Sequence, residues 1–554
     1  RPGAGGFSFT KKPPAFIIVK VFYTGCPPAG RAPGAKHSKE KGHRALSFNT
    51  LSFFAFFPLC AGAYFLVPKK YQNAVLLAAS WLFYAFATPA WLPVLVLDSL
   101  ASYAAVRWMA RAAGAARRRR LWLAVGLNLG LLAGLKALGA ALAGLNAAQD
   151  VLATLEAIGL SASAQRFSLI LPLGISFFTL QAIGCAVDVY REKCPVPQSA
   201  VHFCLFTSFF GFISSGPITR AGSFLPQLQA PRRFDADKAV SGLVLMAQGL
   251  LAKVCVADLL AVIANGVWSD VRAYSGPVLA LGALAYTFQL YFDFSGYSML
   301  AQGCARVLGL ELPQNFNTPY FSRSIKEFWR RWHMSLSAWL RDYVYIPLGG
   351  NRKGTARKYL NLLATFAVSG LWHGTGLTFL IWGLLHGLYQ VAGAVLEPAR
   401  AKAYALLHIR RSGRLASVWQ CLFTFLLVHT AWVFFRAASV QDALYVLTAQ
   451  FAGGAPGGAL AQVWDIILAG FNAKPLLAAA FAAFLAFSFA ACCALDAVRR
   501  FSRRSVQGEA TPVLLGLGGW RWLCYYAFAG LIFLGFLFNN GYLTGAVSFL
   551  YANF

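Results

Sequence analysis

The chain has 554 residues, of which 58% are hydrophobic and 12% are charged, and its mean hydropathy is +0.56. Apolar stretches of about twenty residues recur along the chain, which excludes an ordinary soluble domain and predicts an all-α polytopic membrane protein. The net charge of +30 comes from Lys and Arg in short clusters between these stretches, a pattern of cytoplasmic loops that argues against nucleic-acid binding.

The first 45 residues differ from the rest of the chain. They are rich in Pro, Gly and Lys, and their one apolar piece, Ala15–Phe22, is too short to span a bilayer. We expect residues 1–45 to be disordered or a non-native extension. Residues 46–554 are predicted to form a single transmembrane domain.

Candidate membrane spans follow one another closely from residue 50 onward, and some are expected to be half-spanning or broken helices. They cover roughly residues 50–67, 72–88, 91–110, 121–145, 168–187, 200–215, 241–265, 276–298, 360–373, 376–396, 417–437, 475–495 and 522–540. Three basic clusters predict cytoplasmic loops: Arg111 with Arg117–Arg120; Arg352, Lys353, Arg357 and Lys358; and Arg499, Arg500, Arg503 and Arg504.

Proline and glycine interrupt several of the apolar segments. A bilayer core offers no hydrogen-bond partner to the backbone groups that such an interruption frees, so these groups must be buried in protein or line a cavity. The chain is therefore predicted to surround a polar interior. The interrupting residues are Pro172, Gly174, Gly216, Pro217, Gly296, Gly349 and Gly350.

The stretch from Tyr286 to Lys358 mixes aromatic and basic residues, which indicates an interfacial or re-entrant segment at the cytoplasmic mouth. Glu327 and Asp342 lie among its arginines and are expected to form salt bridges. Several basic residues suit the phosphates of a soluble donor, because guanidinium binds phosphate bidentately, although an ordinary positive-inside loop would contain the same residues. They are Arg330, Arg331, Arg341, Arg352 and Lys353.

Two histidines lie where an imidazole is unusual. His373 is flanked by apolar runs, and His333 lies in a basic segment rich in tryptophan. A general base must be neutral near neutral pH, which imidazole provides. His373 is the candidate base and His333 a second polarising or positioning group. The alternatives are a hydrogen bond from His373 to a neighbouring helix, and an interfacial His333 stacked among Trp329, Trp332 and Trp339.

His386 follows His373 by thirteen positions. On one straight helix their side chains would point to nearly opposite faces, so both can serve one centre only if the Gly374–Gly376 region breaks the helix. His386 and His429 are otherwise interpreted as structural. The chain contains no His, Cys and carboxylate spacing typical of a metal site, and we predict no metal.

Asp293 lies within an apolar span. A carboxylate there costs about 2.5–3.5 kcal/mol on insertion scales, so it should face a cavity and hold a partner. We expect Asp293 either to orient a catalytic histidine or to pair with an arginine.

The order and spacing of several short motifs resemble the membrane-bound O-acyltransferase (MBOAT) family, in particular its bacterial branch for alginate O-acetylation and D-alanyl transfer to teichoic acid. The motifs are Leu171–Thr179, Asp188–Arg191, Gly216–Ile218, Phe224–Leu228, Tyr291–Tyr297, Trp329–Ser335, Tyr345–Gly350, Leu371–Gly374 and Trp432–Arg436. The resemblance implies an MBOAT-like ring of about 11–13 transmembrane or half-spanning helices around a central tunnel. By position, His373 matches the catalytic histidine and His333 the second functional one, with Asp293, Trp372 and Trp332 as supporting residues.

The resemblance also implies a reaction and its location. The implied enzyme lies in the bacterial cytoplasmic membrane and takes an acyl group, in the first instance acetyl, from a cytoplasmic thioester such as acetyl-coenzyme A, with no bound cofactor. The acceptor is an extracytoplasmic polysaccharide, and an extracytoplasmic acetyltransferase of the SGNH-hydrolase type is the implied partner. Two alternatives stay open: D-alanyl transfer from a carrier protein toward teichoic acid, and a polysaccharide transporter, which would also contain broken helices and an intramembrane Asp.

Overall fold

The computed structural model describes residues 48, 50–156, 172–274, 276–452, 456–471, 473–502, 509 and 511–539. These residues form α-helices joined by turns and by short 3₁₀ and π segments. The prediction of an all-α polytopic membrane protein is confirmed. The N-terminal segment 1–45, together with Arg503 and Arg504 of the third basic cluster, lies outside the described residues.

The helices are numbered in chain order. The first eleven are α1 (Leu51–Leu66), α2 (Gln72–Ala87), α3 (Leu92–Ala110), α4 (Gly114–Glu156), α5 (Ile175–Tyr190), α6 (Ala200–Ser208), α7 (Ala221–Gln229), α8 (Ala236–Ala252), α9 (Asp258–Ser269), α10 (Gly276–Val307) and α11 (Ile325–Trp329). The others are α12 (Met334–Leu340), α13 (Thr355–His373), α14 (Leu377–Val395), α15 (Glu397–Leu406), α16 (Arg414–Arg436), α17 (Val440–Ala449), α18 (Pro456–Gly470), α19 (Pro475–Phe501), α20 (Thr511–Leu515) and α21 (Trp520–Leu537). Short π segments cover Lys253–Ala257 and Arg341–Tyr345, and 3₁₀ turns cover Lys69–Tyr71, Pro89–Trp91, Val271–Ala273 and Pro319–Phe321.

Among the described residues, eight helical stretches are long and apolar enough to cross a membrane. They are Pro89–Ala110, Gly114–Leu142, Ala236–Ser269, Gly276–Val307, Leu377–Val395, Arg414–Arg436, Pro475–Phe501 and Trp520–Leu537. Each predicted span contains a helix, but the helix in 200–215 ends at Ser208, and α18 was not predicted.

The contacts divide the chain into two compact units. The smaller unit consists of residues 1–36 and 137–171, and its described part is the second half of α4, residues 137–156. The larger unit consists of residues 37–136 and 172–554, and it contains every site residue discussed below. The predicted single domain over 46–554 stays a prediction.

Helices α8 and α10 cross in close backbone contact in the larger unit. A Cβ added to Gly249 would lie 2.7 Å from the Gly296 carbonyl oxygen, and one added to Gly296 would lie 2.8 Å from the Gly249 oxygen. Small residues at such crossings let helix backbones touch, which is how membrane helices gain packing energy without a hydrophobic driving force. Gly296 therefore serves helix contact, and α10 is buried along most of its length.

The predicted irregular backbone at Gly216 and Pro217 is buried in protein, whereas the turn that contains Gly349 is exposed in part. After α6 the chain runs without an α-helix from Phe209 to Thr219, and every residue of that stretch is buried. Gly174 packs against it with a left-handed φ of +69°, and a Cβ there would lie 1.7 Å from the Ile213 oxygen. Only glycine fits this position, because a side chain would strain the backbone and collide with a neighbouring peptide group.

The stretch after α10 is re-entrant in character. Its helices α11 and α12 have 5 and 7 residues, too few to span a bilayer, and most of their residues are buried. This part of the chain places Asn315, Trp332 and His333 in the protein interior, each at most 1% exposed.

Candidate active site

His373 is the last residue of α13. Gly374 continues in an extended conformation, and α14 begins after Gly376, so the helix breaks at the histidine. The imidazole is 3% exposed and is surrounded by rings, with centroids at 4.7 Å (Trp372), 5.0 Å (Trp382) and 5.3 Å (Phe435). The residues His333, Trp372, His373, Trp382 and Phe435 are called the histidine chamber below.

Glycines hold the two helices of this hairpin together. A Cβ on Gly370 would lie 2.4 Å from the Phe379 oxygen, and one on Gly383 would lie 2.3 Å from the Phe366 oxygen. The backbones of α13 and α14 therefore touch on both sides of the break. This contact fixes the end of α13, and with it the position of His373.

His333 contacts the same Trp372 ring. It precedes α12 in a left-handed conformation with φ of 41°, and its imidazole contacts the Phe294 ring at 4.7 Å and the Trp372 ring at 6.2 Å. It is 1% exposed, so its ring is buried in the protein interior. The two histidines thus border one indole from separate helical segments.

Asn315 sets the orientation of His333. Its side-chain oxygen accepts hydrogen bonds from the Ser335 backbone N–H at 3.3 Å and from the Ser335 hydroxyl at 2.9 Å. Because a backbone N–H can only donate, the facing atom is the amide oxygen, and His333 Nδ1, 3.1 Å from it, must carry a proton. In the neutral ring, Nε2 is then the acceptor nitrogen.

Trp372 is anchored at both of its polar ends. Its indole N–H donates to the Ser176 carbonyl oxygen at 3.3 Å, and its own carbonyl oxygen accepts a hydrogen bond from the Lys136 ammonium on α4. Phe177 packs edge-on against the indole at 5.7 Å. The indole that contacts both histidines is therefore held by α4 and by Ser176 and Phe177 of α5.

Trp332 is connected to the chamber through the ring of Trp432. Its ring is 4.9 Å from Trp432, which stacks on Trp382 at 5.6 Å, and Trp382 contacts His373. The sequence grouped Trp332 with Trp372 as a support for the histidines. In the structure, Trp372 touches both imidazoles, whereas Trp332 is connected to His373 through two further indoles.

The helix break also brings His386 to the edge of the chamber. Its ring is 5.3 Å from Trp382, the same indole that contacts His373. The Trp329 indole donates to His386 Nδ1 at 3.3 Å. His429 lies elsewhere, with its Nδ1 2.8 Å from the Thr287 hydroxyl.

Asp293 forms a buried ion pair with Lys253 of the first π segment, and Lys253 also lies 2.7 Å from Asp258. The partner is a lysine and not the arginine that we expected as one alternative. Asn315 is bonded to His333, and an orienting role of Asp293 toward a histidine stays a prediction. Sequence reasoning gave no role to Asn315, Lys136 or Lys253.

Comparisons with known proteins place this site in a family. The model for MBOAT, membrane-bound O-acyltransferase family, matches residues 195–440, which include both chamber histidines and Asn315. A relative from Pseudomonas putida named probable alginate O-acetylase is 38% identical over 418 residues, covering 72% of this chain and 79% of the relative. This chain belongs to the membrane-bound O-acyltransferase family.

Other relatives of the acyltransferase bear two further names. The peptidoglycan O-acetyltransferase of Helicobacter pylori is 35% identical over 436 residues, covering 73% of this chain and 79% of that protein. The teichoic acid D-alanyltransferase of Bacillus subtilis is 32% identical over 237 residues, covering 39% of this chain and 57% of that protein. Family membership makes this chain an O-acyltransferase, so the transporter alternative is set aside.

The acyltransferase also has an open, charged cleft of about 480 Å³, called the arginine cleft below. Arg331 is paired there with Glu327 at 2.9 Å, and Arg500 of α19 lies 3.7 Å from the same carboxylate. Arg330 is exposed at its edge. The lining residues are Asn317, Ser324, Lys326, Glu327, Arg330 and Arg331.

The other basic residues predicted to bind a donor lie apart from the lining of this cleft. Arg341 pairs with Asp342 at 2.8 Å, and Arg220 holds the same carboxylate at 3.0 Å. Arg352 and Lys353 are exposed in the turn that precedes α13. The structure thus brings together two of the five predicted residues and adds Lys326. The expected salt bridges of Glu327 and Asp342 are confirmed.

Contacts between helix ends link the predicted cytoplasmic clusters. Arg117 pairs with Glu192 at 3.0 Å just after α5, and the neighbouring Arg191 donates to the Asp342 carbonyl oxygen at 3.0 Å. Arg500 of the third cluster reaches Glu327. Two of the basic clusters therefore adjoin the segment that contains the arginine cleft, as expected for one membrane face.

Proposed function

We propose that this acyltransferase moves an acetyl group from a cytoplasmic thioester to a hydroxyl, for O-acetylation of an extracytoplasmic polysaccharide at the bacterial cytoplasmic membrane. The proposed acceptor is an alginate-like polysaccharide or a cell-wall polymer. The observation that carries the proposal is the pair of buried imidazoles that both contact Trp372, one of them fixed by Asn315.

His373 is the general base of this proposal. Its nitrogen takes the proton of the acceptor hydroxyl as the oxygen attacks the thioester carbonyl, a role that contributes typically 10²–10⁴-fold in rate. The surrounding rings of Trp372, Trp382 and Phe435 exclude water and favour a neutral imidazole. His333, which contacts the same indole, polarises or positions the reacting groups.

The relatives favour acetyl over D-alanyl as the transferred group. Those named for O-acetyl transfer align over 72–73% of this chain, whereas the teichoic acid D-alanyltransferases align over 39%. The donor is acetyl-coenzyme A or an acetylated carrier, whose phosphates suit Lys326, Arg330 and Arg331 of the arginine cleft. An SGNH-hydrolase-type partner outside the membrane would complete the transfer to the polymer.

The proposal is tested with purified protein in lipid nanodiscs. Radiolabelled acetyl-coenzyme A and a D-alanyl carrier protein are supplied in separate reactions, each with a soluble oligosaccharide acceptor and the partner protein. We expect acetyl transfer, and we expect His373→Ala to lower it by about 10³-fold. His408→Ala is the matched control, because His408 is exposed outside the chamber. Normal acetyl transfer by folded His373→Ala would refute the general base, and transfer of D-alanine alone would refute the donor.

A further inference from the structure

Lys136 is a cation in an apolar part of α4. A lysine within a span costs about 2.5–3.5 kcal/mol on insertion scales, so a functional reason for it is expected. Its ammonium donates a hydrogen bond to the carbonyl oxygen of Trp372, next to His373. Among the residues that the structure describes, no carboxylate lies within ion-pair distance of Lys136.

Lys136 and His373 lie at matching depth. Helices α4 and α13 each run inward from a basic cluster. At 1.5 Å per residue, Lys136 is about 24 Å along α4 from Arg120, and His373 is about 22 Å along α13 from Lys358. A lysine near a span end usually extends to the interface with water. This one instead turns to the end of α13, where its charge is directed at the chamber.

An ammonium has three N–H donors, and the Trp372 carbonyl accepts one of them. The other two are available to an oxygen atom of a reacting group. Acyl transfer builds a negative charge on the thioester carbonyl oxygen. His373 does not neutralise it because its task is to accept the hydroxyl proton, and the Nδ1–H of His333 is already donated to Asn315. The described chamber is otherwise lined by aromatic rings.

We propose that Lys136 is a catalytic residue that donates a hydrogen bond to the oxyanion formed during acyl transfer. This inference rests on the proposed function. The acceptor hydroxyl gives its proton to His373 while its oxygen forms the new C–O bond, and the carbonyl π electrons move onto the oxygen that Lys136 binds. Collapse restores the C=O bond and breaks the C–S bond, and the leaving thiolate takes the proton from the imidazolium.

Lys136→Met removes the charge and keeps a long side chain. Removal of one oxyanion donor lowers kcat by roughly 10²–10³-fold, so we expect a loss of that size with little change in the KM of the thioester. Lys136→Arg keeps a cationic donor, and its kcat should be at least tenfold higher than that of Lys136→Met. Lys402→Met is the matched control, because Lys402 is exposed on α15.

A purely structural Lys136 would only cap the free carbonyl at the end of α13. The thermal midpoint in detergent and kcat per folded molecule separate the two roles. A lowered midpoint with unchanged kcat in Lys136→Met would overturn the proposal, as would an Arg variant no better than Met. If His373→Ala keeps its activity, the proposed function itself fails. If His373→Ala is inactive and Lys136→Met is active, only the role of Lys136 fails.

Discussion

The histidine chamber and the arginine cleft come from neighbouring parts of the chain, but the chamber is buried among aromatic rings and the cleft is open and charged. His333 and His373 are buried among rings, and His333 is held by a neutral hydrogen bond to Asn315. Arg330 and Arg331 border an open cleft in which Glu327 offsets part of the charge. Under the proposed function, the buried chamber acts on the chemical step, whereas the exposed charged cleft acts on donor binding and is sensitive to salt. Substitutions in the two regions should therefore separate kcat from KM.

The largest effect is expected where the backbone under the chamber is tightest. Gly174→Ala would place a Cβ 1.7 Å from the Ile213 oxygen in a left-handed conformation, two residues from the Ser176 carbonyl that holds Trp372. We expect a loss of roughly 3 kcal/mol or more in folding free energy, and little folded protein. Yield and thermal midpoint in detergent measure it.

Gly354 is the matched glycine near the basic turn. It also has a positive φ, +83°, but a Cβ there would meet nothing within 4 Å. Gly354→Ala should cost only the backbone strain, about 1–3 kcal/mol, and leave a folded protein. Equal yields of the two variants would show that the chamber backbone is not the more constrained of the two.

The second effect concerns the orientation of His333. Asn315→Leu removes the oxygen that accepts from His333 Nδ1 and from Ser335. One hydrogen bond of this kind is worth about 1–3 kcal/mol when its loss leaves a buried partner unsatisfied, so kcat should fall about 10–100-fold. Steady-state kinetics with the acetyl thioester gives the value. The same change at exposed Asn351 is the control, and a raised KM with normal kcat would contradict an orienting role.

Substitutions in the arginine cleft should change KM rather than kcat. Lys326→Ala and Arg330→Ala each remove one cation that faces the donor phosphates, which should raise KM by roughly tenfold with kcat nearly unchanged. The effect should shrink at high salt. A short acetyl thioester without phosphate is the control substrate, because its KM should be the same for wild type and both variants. A fall in kcat with the short thioester would link the cleft to the chemistry.

The sequence was most informative where a single residue violates the local pattern. An imidazole in an apolar run and an aspartate in a span are visible without a structure. Gly216 and Pro217 predicted an interruption that is buried in protein, since a bilayer forbids irregular backbone exposed to lipid, but the irregular stretch begins at Phe209, inside the predicted span 200–215. These features depend on local chemistry, which a sequence contains directly.

Partners were harder to predict than positions. Asp293 pairs with Lys253, forty residues earlier, because the π segment turns that lysine toward α10, and no periodicity predicts such a segment. Asn315 reaches His333 through a compact irregular turn. Lys136 could have been noticed as a charge inside the predicted span 121–145, but its contact with Trp372 connects residues 236 positions apart. Such pairings are fixed by tertiary packing.

The smallest effect is expected for Arg341→Ala, which tests whether donor binding is confined to the arginine cleft. Arg341 was predicted to bind the donor, but its guanidinium pairs with Asp342, which Arg220 also holds at 3.0 Å. Arg341 is 64% exposed at its side chain, and ion pairs of that kind contribute about 0–1 kcal/mol. Arg341→Ala should therefore change KM less than about twofold in the assay used for Arg330→Ala. If Arg341→Ala raised KM as much as Arg330→Ala does, the donor site would extend to Arg341 and Arg220. The ion pair of Arg341 with Asp342 would then not prevent it from binding phosphate.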